Sequence, residues 1–188
     1  MARLVFHPAT DELLHSSALQ LPQSLLLHGE RGIGLRSAAR FIAHEAGADL
    51  QEILSERDEK IDREKGSVSI EQVRQLYEQT RTKSQRKKIY CIVDADTMGA
   101  PAQNAFLKLL EEPNEGIYFV LLAHDTAKLL PTIRSRVQTL SLRPIDSYQS
   151  GLLLDSFGID DTTRRAQLLF LAEGLPARLK LLASDTKA

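Results

Sequence analysis

The sequence predicts a three-layer α/β domain built on a parallel sheet and followed by a small α-helical lid. Three observations predict it. Strand and helix signals alternate repeatedly up to residue 142, a glycine-rich turn joins the first strand to its helix, and past Pro144 strand signals stop while helical spacing continues. The expected organisation is a core over residues 1–143 and a lid over residues 144–188.

Each element has its own warrant. Thr10 to Ala18 spaces Leu13, Leu14 and Ala18 helically behind a Thr or Asp able to cap a helix. Ser24 to His28 is a brief apolar run that stops at Gly29, and a helix over Ser37 to Ala46 follows the turn. A second strand is expected at Leu50 to Leu54. The charge-dense run Ser55 to Gly66 reads as a solvated loop. Ser69 opens an amphipathic helix to about Arg81, with Ile70, Val73, Leu76 and Tyr77 on one face. After the basic loop Arg81 to Lys88, Ile89 to Asp94 is apolar almost throughout, as a parallel strand covered on both faces must be, and ends in an acid. Pro101 to Glu111 forms a helix with Pro in a tolerated first-turn position and Pro113 beyond its end. Strands at Tyr118 to Ala123 and Val137 to Leu142 flank a proline-containing turn. The lid is expected to hold helices near Tyr148 to Phe157, Thr162 to Ala172 and Ala177 to Leu182.

Composition excludes several functions. The 188 residues carry 24 Lys and Arg against 25 Asp and Glu, a net charge of -1, so there is no whole-molecule attraction for nucleic acid or anionic membrane. DNA contact would need a local patch. The dense one is Arg81, Lys83, Arg86, Lys87 and Lys88, which a solvated loop explains more cheaply. Cys91 is the single cysteine, so no internal disulfide or Cys-rich zinc site forms and a reducing, cytoplasmic home is expected. The longest apolar stretch, Ile117 to Ala123, falls far short of the ~18 residues of a spanning helix, so no membrane partner is expected. The five histidines lack metal-ligand spacing, and no metal site is expected.

The glycine turn keeps the frame of a phosphate-binding loop, G-x-x-x-x-G-K-[ST], in which backbone N–H groups wrap phosphates, Lys neutralises them and a hydroxyl holds magnesium. Gly29, Gly32 and Gly34 preserve the turn, but Leu35 and Arg36 stand where Lys and the hydroxyl belong. The acid-tipped strand supplies Asp94 for magnesium, yet Ala95 replaces the carboxylate that would activate water. Asp96 reads as a loop cap. Two lesions in one site argue against hydrolysis more strongly than either alone.

The run from Ala102 to Pro113, QNAFLKLLEEP within it, is followed some twenty residues later by Pro131-Thr132-Ile133-Arg134-Ser135-Arg136-Val137. This pairing, behind a degenerate phosphate loop, closely resembles the clamp-loader branch of the AAA+ ATPases. HGERGIG from His28 and VSIEQVRQL from Val68 look like the delta-prime type of subunit in bacterial DNA polymerase III. The resemblance implies an AAA+ P-loop NTPase core inside a ring-like pentamer whose ATP sites lie between neighbours. It implies a non-catalytic subunit that donates Arg136 in trans as an arginine finger and helps load a sliding clamp onto primed DNA. Its partners would be gamma/tau-type and delta-type subunits, the clamp, and DNA through the assembly. No functional ATP or magnesium site is expected on this chain. His124 matches the position of a polar phosphate sensor, and Arg178 that of the lid's second sensor.

Departures accompany the resemblance. The Cys-based zinc module of such subunits is not expected, Val137 replaces the cysteine after the arginine, and the sequence ends at Ala188 where such subunits continue into a helical collar, so either it is a fragment or the collar is missing. Two alternatives stay open: an active gamma/tau-type ATPase, and a stand-alone interaction module that kept the fold and lost the complex.

Overall fold

The computed structural model describes residues 4–57, 60–62, 66–81 and 84–184. The chain runs α1 (Pro8–Leu19), β1 (Ser24–His28), α2 (Leu35–Glu45), β2 (Asp49–Ile53), β3 (Glu56–Arg57), β4 (Lys60–Ile61), α3 (Ile70–Thr80), β5 (Lys88–Ile92) and α4 (Ala100–Glu111). It continues through β6 (Ile117–Ala123), α5 (Pro131–Arg134), β7 (Gln138–Ser141), α6 (Ser147–Ser156), α7 (Thr162–Ala172) and α8 (Pro176–Ser184).

Five strands form one parallel sheet in the order β2-β5-β6-β1-β7. Alternation assigns their side chains to two faces. Leu25, Leu27, Ile89, Cys91, Val120 and Leu122 meet Leu14 of α1 and Ala38 and Ile42 of α2, while Leu26, Tyr90, Ile92, Phe119 and Leu121 meet Leu76 of α3 and Phe106 of α4. With both faces covered, each such Leu or Ile contributes about 1.5–3 kcal/mol by burial, which is why these strands read as unbroken apolar runs. A third cluster, around Leu154, Leu168 and Leu179, joins α6, α7 and α8. Capping residues fix the starts of several helices: Ser69 and Gln72 form a reciprocal capping box at α3, Asp146 and Gln149 another at α6, and Asp161 caps α7.

Three local readings change. Helix α1 starts at Pro8 with His7 as its cap, because a proline in the first turn has no N–H to satisfy and a preset φ. Thr10, expected as a possible cap, is buried and its hydroxyl accepts from the backbone N–H of Arg143 at 3.1 Å. The charged run after Ser55 contains a short antiparallel pair, β3 with β4, closed by mutual backbone bonds between Glu56 and Ser67 at 3.0 Å; residues 58–59 and 63–65 lie outside the described residues. Backbone pairing there needs no apolar periodicity, so the run gave no strand signal. The proline turn contains the short helix α5, with Pro131 in its first turn. Among the described residues, no helix is long and apolar enough to cross a membrane.

Candidate functional site

In an open parallel sheet, ligands meet the carboxyl ends of strands where the strand order reverses. Here β1 sits between β6 and β7. Gly32, Gly34, Leu35, Arg36, Asp94 and His124 line one cleft of about 190 Å³ at that end. Gly29 joins them through its carbonyl, which accepts from His124. The loop residues, the strand-end acid and the histidine singled out in the sequence therefore share one place. Arg136 does not line it.

The loop's chemistry differs from its outline. Gly34, at φ 98, is the left-handed cap from which α2 departs. Leu35 follows and is 5% exposed, its side chain in the core beside the sheet. Arg36 turns toward β2, where its guanidinium pairs with Glu52, and Arg40 Nε donates to the same carboxylate at 3.0 Å. Burial raises the Glu52 pKa, but hydrogen bonds and charge from Arg36 and Arg40 outweigh it and hold the carboxyl below its ordinary 4.5. The cation beside the loop is thus neutralised by its own chain.

At the end of β5, Asp94 adopts a left-handed conformation, φ 54 and ψ 46, which costs a non-glycine residue about 1 kcal/mol and is tolerated best by Asp and Asn. Its carbonyl accepts from the Thr97 hydroxyl at 2.7 Å. Ala95 is fully buried, and Asp96 accepts from the backbone N–H groups of His124 and Asp125 at 3.3 and 3.0 Å, closing the end of β6. His124 Nδ1 lies 2.8 Å from the Gly29 carbonyl, which can only accept, so Nδ1 carries the proton. In the neutral ring Nε2 is then a lone-pair atom, 3.9 Å from Asp94 Oδ1. His124 fastens the loop to the ends of two strands.

Helix α8 packs against the loop from outside. The N–H of Ala177 donates to the Gly32 carbonyl at 2.9 Å. Gly32 has φ 92, a left-handed backbone angle that favours glycine, and a Cβ there would sit in ordinary contact with Arg178 Cβ at 3.5 Å. Arg178 itself points its guanidinium to Glu173. Its backbone, not its charge, covers the loop.

Arg136 lies between α5 and the edge strand β7, with its N–H on the Ile133 carbonyl at 2.9 Å. Its side chain is 38% exposed; Nη2 donates to Glu111 Oε1 at 2.8 Å and Nη1 to the Thr132 carbonyl at 3.0 Å. Glu111 was legible as a helix-end residue but not as a partner, since nothing in the spacing couples positions so far apart in sequence. Gln103, within the run that carries the resemblance, has no role legible in the sequence. It is 3% exposed within α4, donates to the carbonyls of Met98 and Lys128 at 2.9 and 3.0 Å, and accepts from Leu130 N at 2.7 Å. A polar residue on the apolar face of the helix was the available signal. The basic stretch divides: Arg81 pairs with Glu78, Lys88 Nζ sits 4.9 Å from the Tyr90 ring centroid, and Lys83 lies outside the described residues.

A family model described as DNA polymerase III, delta subunit, matches residues 9–146. The delta-prime subunit of Bacillus subtilis DNA polymerase III is 41% identical over 78 residues, 42% of this chain and 23% of that protein. Its Yersinia pestis counterpart is 42% identical over 74 residues, 38% of this chain and 22% of that one. A DNA polymerase III gamma subunit of Buchnera aphidicola is 32% identical over 129 residues, 59% of this chain and 35% of that one. The chain thus spans about a quarter to a third of the length of these relatives. Among solved structures, a RuvB variant of Thermotoga maritima superposes with a TM-score of 0.75 at 13% identity, covering 96% of this chain and 62% of that one. A gamma-subunit-related protein of the same organism gives 0.59 at 21% identity, covering 95% and 74%. These structural likenesses show the fold, a three-layer α/β fold of the P-loop NTPase kind. By the family match over most of its core, the chain belongs to the DNA polymerase III delta-subunit family and is delta-prime-like within the clamp loaders.

Proposed function

We propose that the chain is a catalytically silent clamp-loader subunit that donates Arg136 to ATP held by a neighbour. It would work with gamma/tau-type and delta-type subunits in loading a sliding clamp onto primed DNA. The observation that carries this reading is the fate of the two positions after Gly34. Leu35 is buried in the core and Arg36 is held by Glu52, so neither offers the cation a triphosphate needs. Ala95 offers no carboxylate to activate water. The cleft, about 190 Å³, is also below the ~300–1,000 Å³ of most ligand sites. A magnesium triphosphate does not fit these residues, and no chemical step is assigned to nucleotide on this chain.

Support for a role in trans comes from placement. Arg136 is partly exposed beside an edge strand, and its planar, permanently charged fork matches phosphate oxygens. Calorimetry with magnesium and ATP tests the silent site: binding weaker than about 1 mM is expected, and a micromolar constant would favour the gamma/tau-type ATPase reading instead. Replacing Arg136 by Ala in a reconstituted assembly tests the finger. Hydrolysis at the affected site should fall ~10³-fold or more, and clamp loading should fall with it.

A further inference from the structure

We propose that Glu111 is a positioning residue for Arg136, holding its guanidinium in place before a neighbour's phosphates arrive. This rests on the reading of Arg136 as a group that acts in trans. Glu111 is the last residue of α4, so its backbone is fixed by a twelve-residue helix that packs on the sheet through Phe106 and Leu109. Thr132 lies in α5, which Ile133 anchors in the same core cluster. The two acceptors that meet Arg136, Glu111 Oε1 at 2.8 Å and the Thr132 carbonyl at 3.0 Å, therefore come from two separately anchored helices.

A guanidinium has five N–H donors in a fixed plane, and these contacts use two. Three remain for an incoming anion, and the side chain is 38% exposed, so holding it does not close it off. A free arginine loses extensive rotamer freedom when it docks, whereas one already held has lost much of that freedom beforehand. The other arginines singled out by sequence are held elsewhere, Arg178 by Glu173 and Arg36 by Glu52. Glu112, next in sequence, caps the end of α4 by its backbone bond to Lys108. Because the pair is solvent-accessible, its influence should be modest, about two- to five-fold.

The test uses the reconstituted assembly containing the full-length subunit, with ATP turnover resolved into kcat and KM. Unaltered protein, Glu111→Ala, Glu111→Gln, Arg136→Ala and the Glu111→Ala/Arg136→Ala pair are compared. Glu111→Ala should lower kcat at the affected site about two- to five-fold with KM unchanged. Glu111→Gln, which keeps an acceptor oxygen, should recover most of that loss, and the effect should vanish when Arg136 is already Ala. If Arg136→Ala lowers turnover but Glu111→Ala does not, or raises it, positioning is wrong while the trans role stands. A Glu111→Ala loss that survives in the Arg136→Ala background also overturns positioning. No effect from Arg136→Ala removes both.

Discussion

Arg36 and Arg136 are each paired with a glutamate of their own chain, and burial makes the two pairs unequal. Glu52 is 17% exposed and shared by two arginines, whereas Glu111 is 49% exposed and meets one. An exposed pair is worth about 0–1 kcal/mol, so Arg136→Ala should lower the melting temperature of the chain by no more than about 4 °C. Differential scanning calorimetry reads this directly, and a larger drop would give Arg136 a structural role. Leu35→Lys carries the opposite expectation. A lysine at this buried position should cost about 2–3 kcal/mol of stability by burying charge or distorting the start of α2. ATP turnover should still be absent, because Ala95 remains; turnover in the purified variant would show that a single lesion silences the site.

At the level of elements, α4 organises more than its apolar face suggests. Through Gln103 it holds the carbonyls of Met98 and Lys128 and the N–H of Leu130, the last two just before α5 and Arg136. Gln103→Leu would keep the approximate volume and leave those three backbone groups without this partner, the Met98 carbonyl in a buried setting and the other two partly buried. Destabilisation by at least about 2 kcal/mol is expected in urea unfolding. Stability within a few tenths of a kcal/mol of the unaltered chain would mean that the segment finds other partners. The helix was legible in the sequence because its apolar spacing repeats. Its buried glutamine bridge was not, because its partners are backbone groups whose position depends on where the chain returns after β6.

For the whole molecule, two titrating groups bend stability toward acid. Burial lowers the His28 pKa below its ordinary 6.5, so in that interval the unfolded chain binds more protons than the folded one and stability falls as the pH drops. Glu52 acts further down. Its carboxyl is held below 4.5, so its contribution is present above that value and is lost as the pH falls through its folded pKa. Melting temperature should therefore begin to decline below about pH 6.5 and steepen below about pH 4.5. His28→Asn should remove the first part of the decline and leave the second. A level melting temperature between about pH 7 and pH 5 would sink the His28 assignment.

The sequence alone determined the parallel-sheet architecture, since strands covered on both faces must be continuously apolar and the connecting helices must be amphipathic. It also placed Gly29, Gly32, Gly34, Asp94 and His124 at turns and strand ends, because glycine clusters and polar terminations are local signals. Only the tertiary structure decided where the side chains go. It turned Arg36 onto Glu52, put Leu35 in the core, closed Ala177 over Gly32 and brought Glu111 to Arg136. Those choices depend on which strands become neighbours and where helices end against them. Charge pairing and burial between residues distant in the chain leave no periodic trace in the sequence, so the outline of the site was legible while its chemical state was not.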